Sequence, residues 1–149
     1  MTDDLSPLID VLDAWSLNQT PAMRRKLARK MGQALRKRQQ KNIAANVDPD
    51  GQPMPKRKKR PRGSIANRGK MFKALRQLRN LRLKTSDTEI EIGFPPGKVS
   101  DIASIHHFGL EGAVDKEGRI RTRYPVRRLL GFSQQAEDEI MDALAGMFP

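Results

Sequence analysis

Apolar residues along the chain recur mostly at helical spacing, interrupted by two stretches with strand spacing. Leu5, Leu8, Ile9, Leu12 and Trp15 recur every three or four positions, predicting a short amphipathic helix over residues 4–16 with acids in its first turn, where the helix dipole favours them. Thr20 followed by Pro21 is a helix start, a capping hydroxyl before a proline whose missing N–H costs nothing at the first helical position. Met23, Leu27, Met31, Ala34 and Leu35 then define one apolar stripe, so a second helix is expected from Pro21 to about Ala45. Asp48-Pro49-Asp50-Gly51 ends it, because Pro cannot donate to the helical ladder and Gly tolerates a positive φ.

Residues 53–69 show no apolar period and are expected to form a long exposed loop. Met71, Phe72, Leu75, Leu78 and Leu81 predict a third helix over 70–81. Thr88, Ile90, Ile92 and Phe94 alternate with Glu89, Glu91 and Gly93, the period of a half-buried strand, closed by Pro95-Pro96-Gly97. Residues 102–108 fit either a helical turn or a short strand. Val114, Ile120 and Tyr124, with Gly112 and Gly118, suggest a β-hairpin over 110–124 whose loop carries Asp115, Lys116 and Glu117. Ser133 caps a last helix with Glu137, Asp138 and Glu139 early and Ile140, Met141, Leu144 and Met147 on its apolar face. The order predicts one α+β domain over 1–149: N-terminal helices including one long basic helix, a small antiparallel β-sheet and a C-terminal helix.

Charge changes this picture more than overall composition does. The chain has 149 residues, no cysteine, and a formal net charge of +12 from 29 basic and 17 acidic residues. Partitioned, residues 1–23 carry −4, residues 24–84 carry +20, residues 85–131 balance at zero and residues 132–149 carry −4. A basic middle thus lies between acidic ends. Its densest part is Lys56, Arg57, Lys58, Lys59, Arg60 and Arg62 in the loop. Such a surface suits phosphates, whose counterions it would release, and suits equally an acidic protein surface or the acidic end of another copy. Without cysteine there is no disulfide framework, thiolate nucleophile or Cys-ligated metal. The acidic N-terminus and the short apolar runs predict neither an export signal nor a membrane span, so a cytoplasmic chain is expected.

Candidate catalytic chemistry is sparse. His106 and His107 are the only histidines, and as neighbours they diverge on any regular element and cannot share a metal. Asp101 and Glu111 have no ligand-type spacing to them. A structural role near the turn at Gly109 is expected instead, with no metal or cofactor. No nucleophile elbow, phosphate-binding glycine loop or zinc-protease motif occurs, so no enzymatic activity is expected. Arg127 and Arg128 stand directly before an apolar hinge and the capping Ser133. Their guanidinium groups suit carboxylates of a neighbouring copy or of the chain's own last helix.

Four segments, in order, resemble the phage virion morphogenesis family, the tail completion proteins of contractile-tailed temperate phages. They are Asp48-Pro49-Asp50-Gly51-Gln52-Pro53 with its basic tract, Lys70-Met71-Phe72-Lys73-Ala74-Leu75-Arg76, Ile105-His106-His107-Phe108-Gly109-Leu110, and Tyr124-Pro125-Val126-Arg127-Arg128-Leu129-Leu130-Gly131-Phe132-Ser133. The resemblance covers about residues 21–149; the long basic run Lys56 to Arg62 departs from the more mixed family tract. It implies a structural protein that finishes the tail at its head-proximal end in the host cytoplasm and stays at the head–tail junction. It also implies a ring, a homo-hexamer on a sixfold tail, with tail-tube and head-connector proteins as partners and passing contact with packaged DNA. His106, His107, Gly109, Arg127 and Arg128 are then the assembly or structural candidates.

Overall fold

Capping chemistry sets the start of the long helix. Thr20 is extended (φ −68°, ψ 153°), its hydroxyl accepts from the Met23 amide at 3.3 Å, and α1 runs Pro21–Ala45. The computed structural model describes residues 20–58, 71–115 and 117–147, with the side chains of residues 143, 146 and 147 left aside. The helix expected over 4–16, the loop residues Lys59, Arg60 and Arg62, Lys116 and the Met147 side chain therefore lie outside the described residues. One face of α1 buries Ala28, Met31, Gly32, Leu35, Gln39 and Ile43; of the predicted stripe, Met31 and Leu35 are buried and Leu27 half-buried, whereas Met23 and Ala34 are exposed because the buried face is rotated towards Ala28, Gly32 and Gln39.

Asn46 ends α1 in the left-handed region (φ 56°), a conformation its short polar side chain tolerates. Asp48 Oδ1 accepts from the amides of Asp50 and Gln52 at 2.9 Å each, and the chain doubles back so that Val47 bridges Pro53. The Met54 amide then donates to Asn46 O, and Asn46 Nδ2 donates to Met54 O, both at 2.9 Å. The expected turn is thus a tight return that delivers Met54 to the core.

The helix expected over 70–81 is not formed among the described residues: 71–80 make successive turns. Phe72 has φ 60°, costly for an aromatic residue in a helix, and the hydrogen bonds that follow mix four-residue and three-residue steps. Side chains also bond carbonyls here, Asn80 Nδ2 on Ala74 O at 2.8 Å beside the Gln77 amide, and Gln40 Nε2 on Arg76 O at 2.6 Å. Apolar spacing alone still placed Leu75 inside, but Leu78 is 58% exposed.

A strand that the apolar pattern does not predict follows, β1 (Arg82–Thr85), paired antiparallel with β2 (Ile90–Gly93) so that Leu83 faces Ile92. Gly32 explains its place. A Cβ there would lie 2.6 Å from Leu83 Cδ1 and 3.2 Å from Thr85 Cγ2, so only glycine lets α1 lie this close to β1. The ambiguous segment is helical: α2 spans Lys98–Phe108 and stops at Gly109, whose φ of 65° suits glycine. β3 (Glu111–Ala113) and β4 (Arg121–Arg123) pair as a second antiparallel ladder, so the single small sheet expected is two two-stranded sheets. The prolines after β2 and the start of α2 separate the ladders in the chain. α3 spans Gln134–Met147, and Ser133 Oγ accepts from the Ala136 amide at 3.1 Å as its cap. The fold is α+β, with a long N-terminal helix among the described residues and a C-terminal one.

Two apolar clusters hold these elements. Met31 and Leu35 of α1 pack on Ile140 and Leu144 of α3, with Ile90, Ile92 and Phe132 alongside. Met54, Leu75, Ala103 and Leu129 form the other, with Phe72, Phe94 and Val99. The segment 127–133 passes between them, Leu129 in one and Phe132 against the other, and Gln39 Nε2 of α1 donates to its Gly131 carbonyl.

In urea titrations Leu144→Ala should cost about 2–4 kcal/mol through the cavity it leaves. Gly32→Val should cost about 1–3 kcal/mol through overpacking against Leu83. An unchanged midpoint for Gly32→Val would contradict the close approach of α1 and β1.

Candidate functional site

The four sequence segments that carry the family resemblance meet at one buried guanidinium. Arg127 is 4% exposed, and every nitrogen of its guanidinium has a partner. Its Nε donates to Pro55 O at 2.7 Å and its Nη2 to Lys56 O at 3.2 Å, both at the root of the basic loop. Its Nη1 lies 3.2 Å from His106 Nδ1, and its own amide donates to His106 O at 2.8 Å. Arginine has no acceptor, so His106 Nδ1 must accept and the ring proton sits on Nε2. His107 does the same for the next turn of chain, its Nδ1 accepting from the Leu129 amide at 3.3 Å. The adjacent histidines thus act as paired acceptors that seat residues 127–129 against the end of α2.

Aromatic rings close the other sides. Phe72 and Tyr124 both meet the His106 ring edge to face, with centroids 4.8 and 4.7 Å apart. Gly109 lets the strand return this closely, since a Cβ would lie 2.8 Å from Val126 Cγ2 and 3.1 Å from Tyr124 O. Arg128 points the other way and pairs with Asp50 of the turn at 2.9 Å. The contact of the last helix with a basic residue comes instead from α1, where Arg38 pairs with Glu139. Neither arginine of the pair reaches that helix, because the segment's register aims one inward and the other at the Asp48 turn.

The electrostatics follow from burial. Desolvation, reinforced by the guanidinium groups of Arg127 and Arg57, lowers His106 to a pKa of about 4, so it is neutral at physiological pH. Burial and the nearby Arg57 also lower the Arg127 pKa, without removing its charge. The junction thus carries a buried positive charge bonded to carbonyl oxygens and a ring nitrogen. Its bonds hold three stretches of chain together, and among the described residues no group of three or more His, Asp or Glu is placed to hold a metal.

From this root the basic residues emerge. Lys56, Arg57 and Lys58 are exposed, while Lys59, Arg60 and Arg62 lie outside the described residues. The outer face of α1 adds exposed Lys26, Lys30, Lys37 and Lys41 at intervals of about one and two turns, with Arg25 and Arg29 beside them. Among the described residues, no helix is long and apolar enough to cross a membrane. The acids of α3, Asp138, Glu139 and Asp142, are exposed as the dipole argument expected.

The structure therefore brings together His106, His107, Gly109, Arg127, Lys56 and Arg57, and sets Arg128 on Asp50. Sequence reasoning missed what Arg127 holds, because a carbonyl acceptor has no residue signature. It also missed β1, although Gly32 within a helical pattern was a signal of a close neighbour.

The chain that folds into this long basic helix, two small ladders and tied loop root belongs to a known class by its sequence. The family description "phage virion morphogenesis" matches residues 3–148, and the chain belongs to that family. Among curated proteins it is similar to tail completion protein S of Escherichia phage P2, with 35% identity over 133 residues, 88% of this chain and 83% of that protein. No solved structure matches it.

Arg127→Met should cost about 1–3 kcal/mol by leaving two carbonyls without their donor, and hydrogen exchange at the Met54 amide should accelerate. The neutral His106 gives a pH signature. The unfolded chain takes up the proton near pH 6.5 and the folded one only near 4, so this part of the stability is intact above 6.5 and lost as pH falls towards 4. At pH 5 the loss should be on the order of 1 kcal/mol, allowing for the half-buried ring's access to solvent. The stability difference between wild type and His106→Gln should shift against wild type by that amount between pH 7 and 5. A difference flat with pH would contradict the neutral, buried imidazole.

Proposed function

We propose that this chain is a structural tail completion protein that closes the head-proximal end of a phage tail as a ring of identical copies and readies it to join the head connector. The observation that carries the reading is the similarity to tail completion protein S over most of both chains, within a shared family. The charge distribution supplies the mechanism. The exposed basic face of α1 and the root of the loop carry one sign, and the exposed face of α3 carries the other. A protomer polarised in this way packs head to tail, positive surface on negative, and such heterologous contacts close into rings. On a sixfold tail the ring is a hexamer.

The work proposed is assembly, not catalysis. The histidines that a hydrolytic site would need are occupied in seating residues 127–129. Assembly takes place in the host cytoplasm, and the finished ring stays at the head–tail junction, where the basic loop faces a tail-tube or connector subunit and contacts DNA as it passes. One observation favours a second reading, a nucleic-acid-binding protein: α1 carries an exposed lysine stripe, and Lys56, Arg57 and Lys58 are exposed as well.

Replacing the six basic residues from Lys56 to Arg62 by Gln separates the readings. For the tail completion role, tails assembled with the variant should join heads at least tenfold less often, with duplex-DNA affinity not tracking the defect. If joining is normal and a steeply salt-dependent DNA affinity is lost, the nucleic-acid reading replaces it. Purified chain that stays monomeric with and without tail tubes, by mass photometry, would contradict the ring.

A further inference from the structure

The β3–β4 hairpin is two-sided in a way the fold does not use. Counting outward from its root, where the Tyr124 amide bonds Leu110 O, alternate positions separate two faces. One face carries Leu110, Gly112, Val114, Ile120, Thr122 and Tyr124. α2 covers the root of this face, with Ile105 at Gly112, where a Cβ would meet Tyr124 Cε2 at 3.1 Å and Ile105 Cδ1 at 3.2 Å, and with His106 on Tyr124. Beyond that point Val114 and Ile120 sit opposite one another, joined by a 2.8 Å backbone bond, and are 54% and 61% exposed. The other face carries Arg119, Arg121 and Arg123, all exposed, with Glu111 opposite Arg123.

The tip is not a slack loop. Asp115 accepts from the amides of Ile120 at 2.9 Å and Arg119 at 3.3 Å, and Gly118 takes the positive φ of 71°. A pinned hairpin presenting two adjacent apolar side chains backed by three arginines is pre-organised for an apolar stripe flanked by acids.

Apart from α3, whose apolar face is buried against α1, the sequence carries one such stripe. Leu5, Leu8, Ile9, Leu12 and Trp15 recur at helical spacing among Asp3, Asp4, Asp10 and Asp13. We infer that the hairpin of one copy receives residues 3–15 of the neighbouring copy, the apolar stripe on Val114 and Ile120 and the acids on Arg119, Arg121 and Arg123. This rests on the ring reading above and names its contact.

Geometry favours the neighbour over the same chain. The hairpin is rooted beside the Arg127 junction, at the C-terminal end of α1, where Met54 pairs with Asn46. The N-terminal residues enter α1 at its other end, and 25 helical residues separate the ends by about 37 Å. The stretch from Trp15 to Thr20 spans at most about 18 Å and a helical run from Leu8 to Trp15 adds about 10 Å, still short of the separation of the helix ends. An arm passed from each copy to the next is heterologous, as a ring requires.

Because the chain has no native cysteine, the full-length double variant L8C/I120C reports the contact directly. Mild oxidation should give a ladder of covalent multimers on a non-reducing gel, collapsed by reductant. R121E/R123E in that background should reduce the ladder at least fivefold, and adding D10R/D13R should restore it, which a merely misfolded variant would not allow. A product cross-linked only within one chain overturns the exchange between copies. Chains that sediment as oligomers yet give no ladder overturn the contact and leave the ring standing. Chains that stay monomeric with and without tail tubes overturn both.

Discussion

The structure depends on one buried charge. Arg127 places a guanidinium where water is scarce, and burying it would be costly if its donors lacked partners. It is retained because it has acceptors from two other parts of the chain: the carbonyls of Pro55 and Lys56 and the ring nitrogen of His106. Each acceptor constrains its own neighbourhood. The carbonyls fix where the basic loop leaves the body, and His106 fixes the end of α2, Phe72 and Tyr124 around one point. Arginine suits this role better than lysine, since its planar fork reaches several acceptors and it stays charged despite burial.

That constraint links the core to the surface. The segment running from Arg127 to Ser133 begins at the loop root, passes between the two apolar clusters and ends as the cap of the acidic helix. Basic and acidic surfaces are therefore positioned by one stretch of backbone, and their relative placement is a property of the folded body rather than of mobile side chains. For the charge-guided assembly proposed above, this matters more than the strength of any single surface ion pair, which is small. Specificity comes from placing several charges at fixed spacing.

Much of the fold was legible in the sequence. Thr20-Pro21, the Asp48 turn and the Ser133 cap each carry a local chemistry that acts within a few residues and are present as read, while the α1 stripe is buried at Met31 and Leu35 but not at Met23 or Ala34. What escaped was non-local. The spacing around Phe72 looked helical, but its φ of 60° and the captures of Ala74 and Arg76 carbonyls by Asn80 and Gln40 favour turns. β1 is short, charged at alternate positions and visible only through its partner β2 and through Gly32. At the junction, the residue identities stood out while their bonds did not: His106, His107 and Arg127 could be singled out, but that an arginine before a leucine pair reaches back to a loop carbonyl is a fact of tertiary structure.

The proposed closure of copies of this chain into a ring at the end of the tail, through surfaces positioned by Arg127, is open to direct test. A reconstruction of purified tails bearing the protein tests it most directly. It should show a closed ring at the head-proximal end, with the basic loop of each copy turned towards the tail or connector. Density absent from that end, or single copies spaced along the tube without touching one another, would contradict it.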